Sequence, residues 1–270
     1  MSQQNVTGIG DKGLDIGLSE KQRAVLEKLM KGKLTDELKK DMIPRREIHS
    51  PVPLSFTQQR LWVLDRMVPM NPFYNLPSAF RMTVEIEPAI FENALNEMIR
   101  RHESLRTIFT DENGEPRQVI LPDLHIKVTT FDLEDLPVEK QRAETTRITT
   151  EEAGKPFDLE QGPLVRVILL NYGKKEHTVL FTMHHIIADG WSMGVFTREL
   201  VAIYNAFSEG KPPAIAEPPI QYADFAVWQR SWMQGEILEK QLSFWRELLS
   251  GELPILEFPA DRQRPAVPTY

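Results

Sequence analysis

The segment HTVLFTMHHIIADGWSMGVFTRELVAIYNAFSEG (177–210) carries the clearest structural signal in the chain. Its first part is rich in β-branched and apolar residues, which predicts a buried strand. From residue 190 onward the apolar residues recur at helical spacing, and Gly210 is placed to end that helix. The inner side of the helix is expected to hold Met193, Phe196, Leu200, Ile203, Tyr204 and Phe207. A strand end that leads into a helix start is where α/β proteins place functional residues.

Two histidines close the predicted strand, and an Asp-Gly pair follows in the loop. Because side chains alternate along a strand, His184 and His185 are expected to point to opposite sides, so that one faces a cavity while the other packs. An imidazole with a pKa near 6.5 suits removal of a proton from an amine or hydroxyl at neutral pH. Asp189 can reach back across the loop or pair with an arginine that holds it shut. Gly190 permits backbone conformations and a close substrate approach that a side chain would block.

Other chemistries fit this stretch less well. The two histidines diverge and no third histidine lies nearby, so a metal site is disfavoured, and our prediction is that no metal binds. The chain has neither cysteine nor a GxSxG elbow, which disfavours a covalent nucleophile. General-base catalysis by one histidine, with a nucleophile supplied by the substrate, is the favoured interpretation. The alternative is a strand end with two histidines in structural roles.

The remaining pattern alternates helices and strands without a regular βαβ period, which predicts an α/β fold with a mixed sheet and flanking helices. Capping residues Ser55 and Gln58 begin one helix, Pro88 begins another, and Asn113-Gly114 forms the tip of a hairpin. Further strands are predicted at 125–133 and 164–171, and further helices at 137–152, 221–234 and 236–251.

Composition excludes several classes of protein. The chain has 270 residues, a net charge of -7, 41% hydrophobic and 26% charged residues, and no cysteine. These values are typical of a globular domain and argue against disorder and a disulfide framework. The acidic charge argues against nucleic-acid binding. No apolar run has the length of a membrane span, and the first residues contain no secretory signal, which predicts a cytoplasmic protein without membrane contact.

The two ends of the chain differ from its centre. Residues 1–50 are predicted to form a leader or linker, in which a helix beginning at Ser19 carries an apolar stripe of Val25, Leu26, Leu29 and Met30. That helix is either packed on the body or a docking helix for another protein. The proline-rich stretch after residue 210 predicts a connecting region.

Four motifs resemble those of the condensation domains of nonribosomal peptide synthetases, in the chloramphenicol acetyltransferase-like superfamily. MHHIIADGWS (183–192) is similar to the HHxxxDG signature. SFTQQRLWVL (55–64) resembles SxAQxRLWxL and departs from it at Thr57. RHESLRTIF (101–109) matches RHExLRTxF, and YADFAVW (222–228) matches YxDFAxW. The motifs stand in the family's order between residue 52 and about residue 260, which makes the resemblance specific.

The resemblance implies peptide-bond formation between aminoacyl or peptidyl thioesters on the 4'-phosphopantetheine arms of donor and acceptor carrier proteins, with no cofactor bound directly. His185 is then the catalytic residue, as the base or the orienting group for the attacking amine. His184, Asp189 and Gly190 support the site, Asp189 through a salt bridge that holds the loop. Structural roles are implied for Arg101, Arg106, Tyr222, Asp224 and Trp228. The motifs favour an L-configured donor over the similar starter type, and His184 excludes the cyclisation type.

The resemblance also implies a domain layout. Residues 51–220 would form the N-terminal lobe of a two-lobed domain, and residues 221–270 the bridging helices and the beginning of the C-terminal lobe. The family's fifth motif is not found, so the expectation is an incomplete domain that is inactive without the other lobe. Its partners would be carrier proteins and a C-terminal lobe or a downstream adenylation domain. The alternative is a non-catalytic half-domain that docks a carrier protein or a complementary lobe.

Overall fold

The computed structural model describes residues 42–47, 52–254, 259 and 261–262. The chain divides into two units, 1–43 and 44–270, and every helix and strand reported below belongs to the second. The docking helix predicted after Ser19 lies outside the described residues.

Seven strands and six α-helices are present in the described part of the chain. The strands are β1 (Val52–Pro53), β2 (Asn75–Met82), β3 (Thr107–Glu112), β4 (Glu115–Ile120), β5 (Thr129–Asp132), β6 (Val165–Gly173) and β7 (Glu176–His184). The helices are α1 (Phe56–Met67), α2 (Pro88–Arg101), α3 (Val138–Gly154), α4 (Gly190–Ser208), α5 (Tyr222–Trp232) and α6 (Gly235–Leu248). Each predicted helix within this range is confirmed, whereas the strand predicted at 125–133 is limited to the four residues of β5.

The larger sheet has four strands in the order β2-β7-β6-β5. The pairs β2–β7 and β6–β7 are antiparallel, and β5 runs parallel to β6 through a crossover that contains α3. The prediction of a mixed sheet is therefore confirmed. Because β7 pairs with β2 and β6 from His177 to Met183, its register is fixed on both sides.

The predicted hairpin forms a separate sheet. Strands β3 and β4 pair antiparallel, and β1 adds to β4 to give the order β1-β4-β3. Asn113 and Gly114 have φ values of 57° and 85°, and positive φ at both central residues is the requirement of the tight hairpin turn that matches the strand twist.

The four-stranded sheet is covered on both faces. On one face, Phe181 and Met183 of β7 join the large core cluster with residues of α2 and α4, including Phe91, Leu95 and Phe196. On the other face, Leu180 of β7 and strand residues of β6 pack against α3 in a smaller cluster. Burial of β7 on both faces explains why its sequence is an almost continuous apolar run.

The segment preceding β1 is bound to the body by two adjacent arginines that differ in burial. Arg46 donates a hydrogen bond of 2.8 Å to Asp224 of α5 and forms an ion pair of 2.8 Å with Glu103. Only 9% of its side chain and 4% of that of Asp224 are exposed. Arg45 instead donates from an exposed position to the carbonyl of Pro219. Arg45 and Arg46 of the predicted leader therefore contact the domain.

Helix α5 is also part of this body. Its Arg230 donates 2.7 Å to the Leu54 carbonyl, and its Tyr222 hydroxyl lies 3.0 Å from the Ser55 hydroxyl. In contrast, α6 buries none of its residues in the described chain. The contacts of the body therefore continue past the boundary predicted at residue 220, at least to the end of α5.

We predict that Arg46→Met lowers the free energy of unfolding by about 3 kcal/mol, because it leaves the Asp224 and Glu103 carboxylates without their cation. Arg45→Met is the matched control and should change it by less than about 1 kcal/mol, since Arg45 is exposed. Urea denaturation of both variants measures the difference. Equal effects of the two substitutions would contradict a dominant role for the buried arginine.

Candidate functional site

His184 ends β7 inside the protein. It is 2% exposed, and its backbone N–H donates to the Leu164 carbonyl at 3.0 Å. Its Nδ1 accepts a hydrogen bond of 3.1 Å from the backbone N–H of Ile186. Because Nδ1 acts as the acceptor, the proton of the neutral ring is on Nε2. The edges of Tyr74 and Phe157 enclose the ring, with centroid distances of 6.3 and 6.2 Å.

These surroundings keep His184 neutral. Burial lowers the pKa of His184 to about 4, and the neighbouring charge of His185 contributes to that lowering. Protonation at Nδ1 would also place two N–H donors against each other at Ile186. His184 is therefore an uncharged structural element of the loop at neutral pH.

His185 takes the opposite orientation and is exposed to solvent. Its backbone N–H donates to the Tyr74 carbonyl at 2.9 Å, so it extends the pairing of β7 with the chain that leads into β2. The prediction that the two histidines face opposite sides, one packed and one accessible, is confirmed. Of the two, His185 is the imidazole that a reactant can reach.

Asp189 caps α4. Its carboxylate accepts hydrogen bonds from the Ser192 backbone N–H at 2.8 Å and from the Ser192 hydroxyl at 2.6 Å, while the Ser192 hydroxyl accepts from the Asp189 N–H. The Ser192 hydrogen bonds lower the pKa of Asp189, with a smaller contribution from His185. The expected salt bridge to an arginine is not formed within the described residues. The loop is closed instead by this reciprocal cap.

Gly190 is the first residue of α4. The structure corrects the expectation that its backbone conformation requires glycine. Its φ lies outside the positive range, so the backbone conformation does not require glycine. A Cβ built there would meet no atom within 4 Å. The conformational argument is therefore wrong, whereas the space in front of Gly190 is consistent with a close approach by a bound molecule.

Arg166 of β6 supports His184 indirectly, through the ring of Phe157. The sequence did not predict this role. Its guanidinium lies 3.7 Å from the centroid of the Phe157 ring, which in turn contacts His184. Hydrogen bonds to the Lys155 and Pro156 carbonyls and an ion pair with Glu152 fix the guanidinium. The only sequence signal for this role is a charge within the otherwise apolar strand at 164–171.

The other motif residues are bound within the fold. Arg101 is 3% exposed and donates to the carbonyls of Ile215 and Ala216, and Arg106 donates to the Leu121 carbonyl. Trp228 stacks on Trp232 with a centroid distance of 5.1 Å.

None of the hydrogen bonds or ring contacts described for Arg101, Arg106, Tyr222, Asp224 or Trp228 reaches residues 184–190. The site residues brought together are therefore the four of the loop.

Neither a metal site nor a membrane-spanning helix occurs among the described residues. No group of three or more histidine, cysteine, aspartate or glutamate side chains among them is arranged to bind a metal ion. None of their helices is both long and apolar enough to cross a membrane.

Comparison with known proteins matches this chain to one family model and to peptide synthetases. The family model described as "Condensation domain" matches residues 48–270. A linear gramicidin synthase protein of Brevibacillus parabrevis is 50% identical over 219 residues, which are 81% of this chain and 3% of that protein. Phosphinothricin tripeptide synthetase PhsC of Streptomyces viridochromogenes is 40% identical over 253 residues, which are 93% of this chain and 23% of that protein. The chain thus spans a small part of these curated relatives.

Solved structures share the fold. The X-domain from teicoplanin biosynthesis superposes with a TM-score of 0.72 and 30% identity, over 84% of this chain and 49% of that one. The starter condensation domain of rhizomide synthetase gives a TM-score of 0.67 at 23% identity, over 74% of this chain and 48% of that one. The likeness to the starter domain concerns the fold alone.

We predict that acidification destabilises the fold through His184. The unfolded chain binds a proton near pH 6.5, whereas folded His184 binds one near pH 4. The unfolded state therefore binds more protons between these values, and lowering the pH from 7 to 5 should reduce the free energy of unfolding by about 2 kcal/mol. Urea denaturation at pH 5, 6 and 7 measures this loss.

His184→Asn is the control, because an amide oxygen can accept the Ile186 N–H but does not titrate. The variant should lose the dependence on pH between 5 and 7. An unchanged dependence would assign it to other groups.

We predict that Gly190→Ala raises the free energy of unfolding by up to about 1 kcal/mol, because alanine fits this position and restricts the unfolded chain. Gly162→Ala is the contrasting control. Gly162 has a φ of +62° and its Cβ would lie 3.0 Å from Ile108 Cγ2, so this substitution should destabilise. Thermal denaturation measures the stability of both variants. A loss of stability in Gly190→Ala would show that the loop needs glycine for its conformation.

Proposed function

This chain belongs to the condensation domain family, and from that we propose that it forms peptide bonds in nonribosomal peptide synthesis. The substrates are an aminoacyl or peptidyl thioester as donor and an aminoacyl thioester as acceptor, each on the 4'-phosphopantetheine arm of a carrier protein. The observation that carries the proposal is the arrangement of the histidine pair, in which His184 is buried and neutral while His185 is exposed.

The proposed reaction needs one proton acceptor. The acceptor amine attacks the donor thioester carbonyl, a C–N bond forms, the C–S bond breaks, and the leaving thiolate takes up a proton. His185 removes the proton that the amine loses, or orients the amine for attack. A thioester is already activated, so holding the two arms in position contributes a large part of the rate acceleration.

The roles of the loop residues follow from their contacts. His184 holds the loop through the Ile186 N–H, and Asp189 fixes the beginning of α4 through Ser192. Gly190 leaves space beside them. An L-configured donor remains our proposal on the strength of the motifs, with donor and acceptor carrier proteins as partners. The cytoplasmic location stays a prediction.

A second candidate is a docking module without catalytic activity. The X-domain from teicoplanin biosynthesis, solved in complex with OxyB, is 32% identical over 84% of this chain and 49% of the X-domain chain. That complex is the observation that favours recruitment of another protein by this fold. The two candidates differ in whether product depends on His185.

We predict that loaded donor and acceptor carrier proteins yield a condensation product, detected by mass spectrometry, in the presence of this chain. Because the chain spans about half the length of the condensation domain of known structure, the assay includes the chain alone and the chain with a polypeptide carrying the other half of such a domain. His185→Ala should lower the rate by about 100-fold or more, because general acid–base catalysis contributes at least that factor.

His125→Ala is the matched control, because its side chain is 65% exposed. Its rate should equal that of the unaltered chain. A full rate in His185→Ala would refute the role of His185 as the base. Binding of a carrier protein without product in either arrangement would favour the docking module.

A further inference from the structure

A pocket of about 190 Å³ lies directly beneath the loop that carries His185, between the end of α2 and the beginning of α4. We call it the loop pocket. Its wall is formed by residues of three segments: the end of α2 and the turn that follows it, the end of β7 with the loop, and the first turns of α4. Its apolar residues include Met98, Leu105, Val195 and Phe196.

The loop pocket adjoins the loop that carries His185. Met183, two residues before His185 in the chain, lines it. Ile187 and Ala188, which follow His185 in the loop, also line the wall. Trp191 lines the pocket while it is 84% exposed, which places its indole at the mouth. A molecule that places a group in the pocket therefore lies along the loop that carries His185.

The chemistry of the wall favours an apolar group. Two of its polar side chains already have partners, since His102 Nε2 lies 2.9 Å from Glu199 and the Ser192 hydroxyl is 2.6 Å from Asp189. An engineered apolar cavity of about 150 Å³ stays dry and binds benzene, so the loop pocket has room for a branched aliphatic or small aromatic side chain. The other polar groups of the wall, the Ser104 hydroxyl and the Trp191 indole, carry no charge that would compensate a desolvated charged group there.

We propose that the loop pocket binds the apolar side chain of the acceptor aminoacyl group and so selects the acceptor. The choice of the acceptor rests on the proposed function, in which the acceptor amine is the group at His185. Anchoring the side chain beneath the loop holds the amine next to the imidazole, and an acceptor without an apolar side chain lacks that anchor.

Binding can be tested without condensation, using aminoacyl thioesters of N-acetylcysteamine as probes and methyl-¹³C methionine as reporter. Met98 and Met183 line the pocket, and both are 1% exposed or less. Leucine thioester should shift the methyl resonances of both residues, whereas glycine thioester should leave them in place. Equal shifts with the two thioesters, or no shift with leucine thioester, would overturn the proposal.

Two variants on α4 make the test specific. Val195→Phe fills the pocket and should weaken binding of leucine thioester at least tenfold. Val201→Phe is the matched control, because Val201 is 45% exposed on the same helix and does not line the pocket. Unchanged binding in Val195→Phe would refute the site, and the methionine spectrum of each variant without ligand reports whether it has folded.

Val195→Ala provides a second variant that should fold readily, and it enlarges the pocket. It should improve binding of phenylalanine thioester relative to leucine thioester at least fivefold, and an unchanged ratio would contradict the assignment. The binding test and the condensation assay can fail independently of each other. Leucine-selective binding without peptide-bond formation would refute the condensation activity and leave the pocket, whereas product formation without selective binding would refute the pocket alone.

Discussion

The arrangement of the site depends on the double hydrogen bonding of β7. Because β2 and β6 pair with it on both sides, the strand has one register, and alternation assigns each side chain to a face. Met183 faces the core with α2 and α4, and Leu180 faces α3. A shift by one residue would exchange the positions of His184 and His185. The identity of the accessible histidine is thus a consequence of sheet packing.

Burial of the His184 imidazole costs solvation free energy, and the surrounding contacts offset that loss. A neutral imidazole leaves water only if its polar atoms find partners, and the Ile186 N–H satisfies Nδ1. Arg166 holds Phe157 against the ring and is itself fixed by the carbonyls at the end of α3. The loop therefore rests on a set of aromatic and cationic groups drawn from distant parts of the chain. The backbone of the exposed neighbour, His185, is held separately by its hydrogen bond to the Tyr74 carbonyl.

The sequence indicated local features more completely than distant contacts. Helical periodicity, capping pairs and the Asn113-Gly114 turn each arise within one segment, so the helices and the hairpin were predictable. The separation of β1, β3 and β4 into their own sheet depends on pairing between segments and was not foreseen. The support of His184 by Phe157 and Arg166 was missed for the same reason, since no periodic pattern links residues 157, 166 and 184. Asp189 was placed correctly in the loop, but its partner was Ser192.

The cap on α4 limits which chemistry this loop can perform. A helix N-terminus whose N–H groups are free attracts an anion. Here the carboxylate of Asp189 occupies that position and accepts the Ser192 N–H. A developing negative charge on a substrate would meet a carboxylate there. The helix end is thus better suited to holding the loop rigid than to stabilising an anion. In the proposed reaction, this leaves His185 and the fixed placement of the substrates as the contributions of the loop.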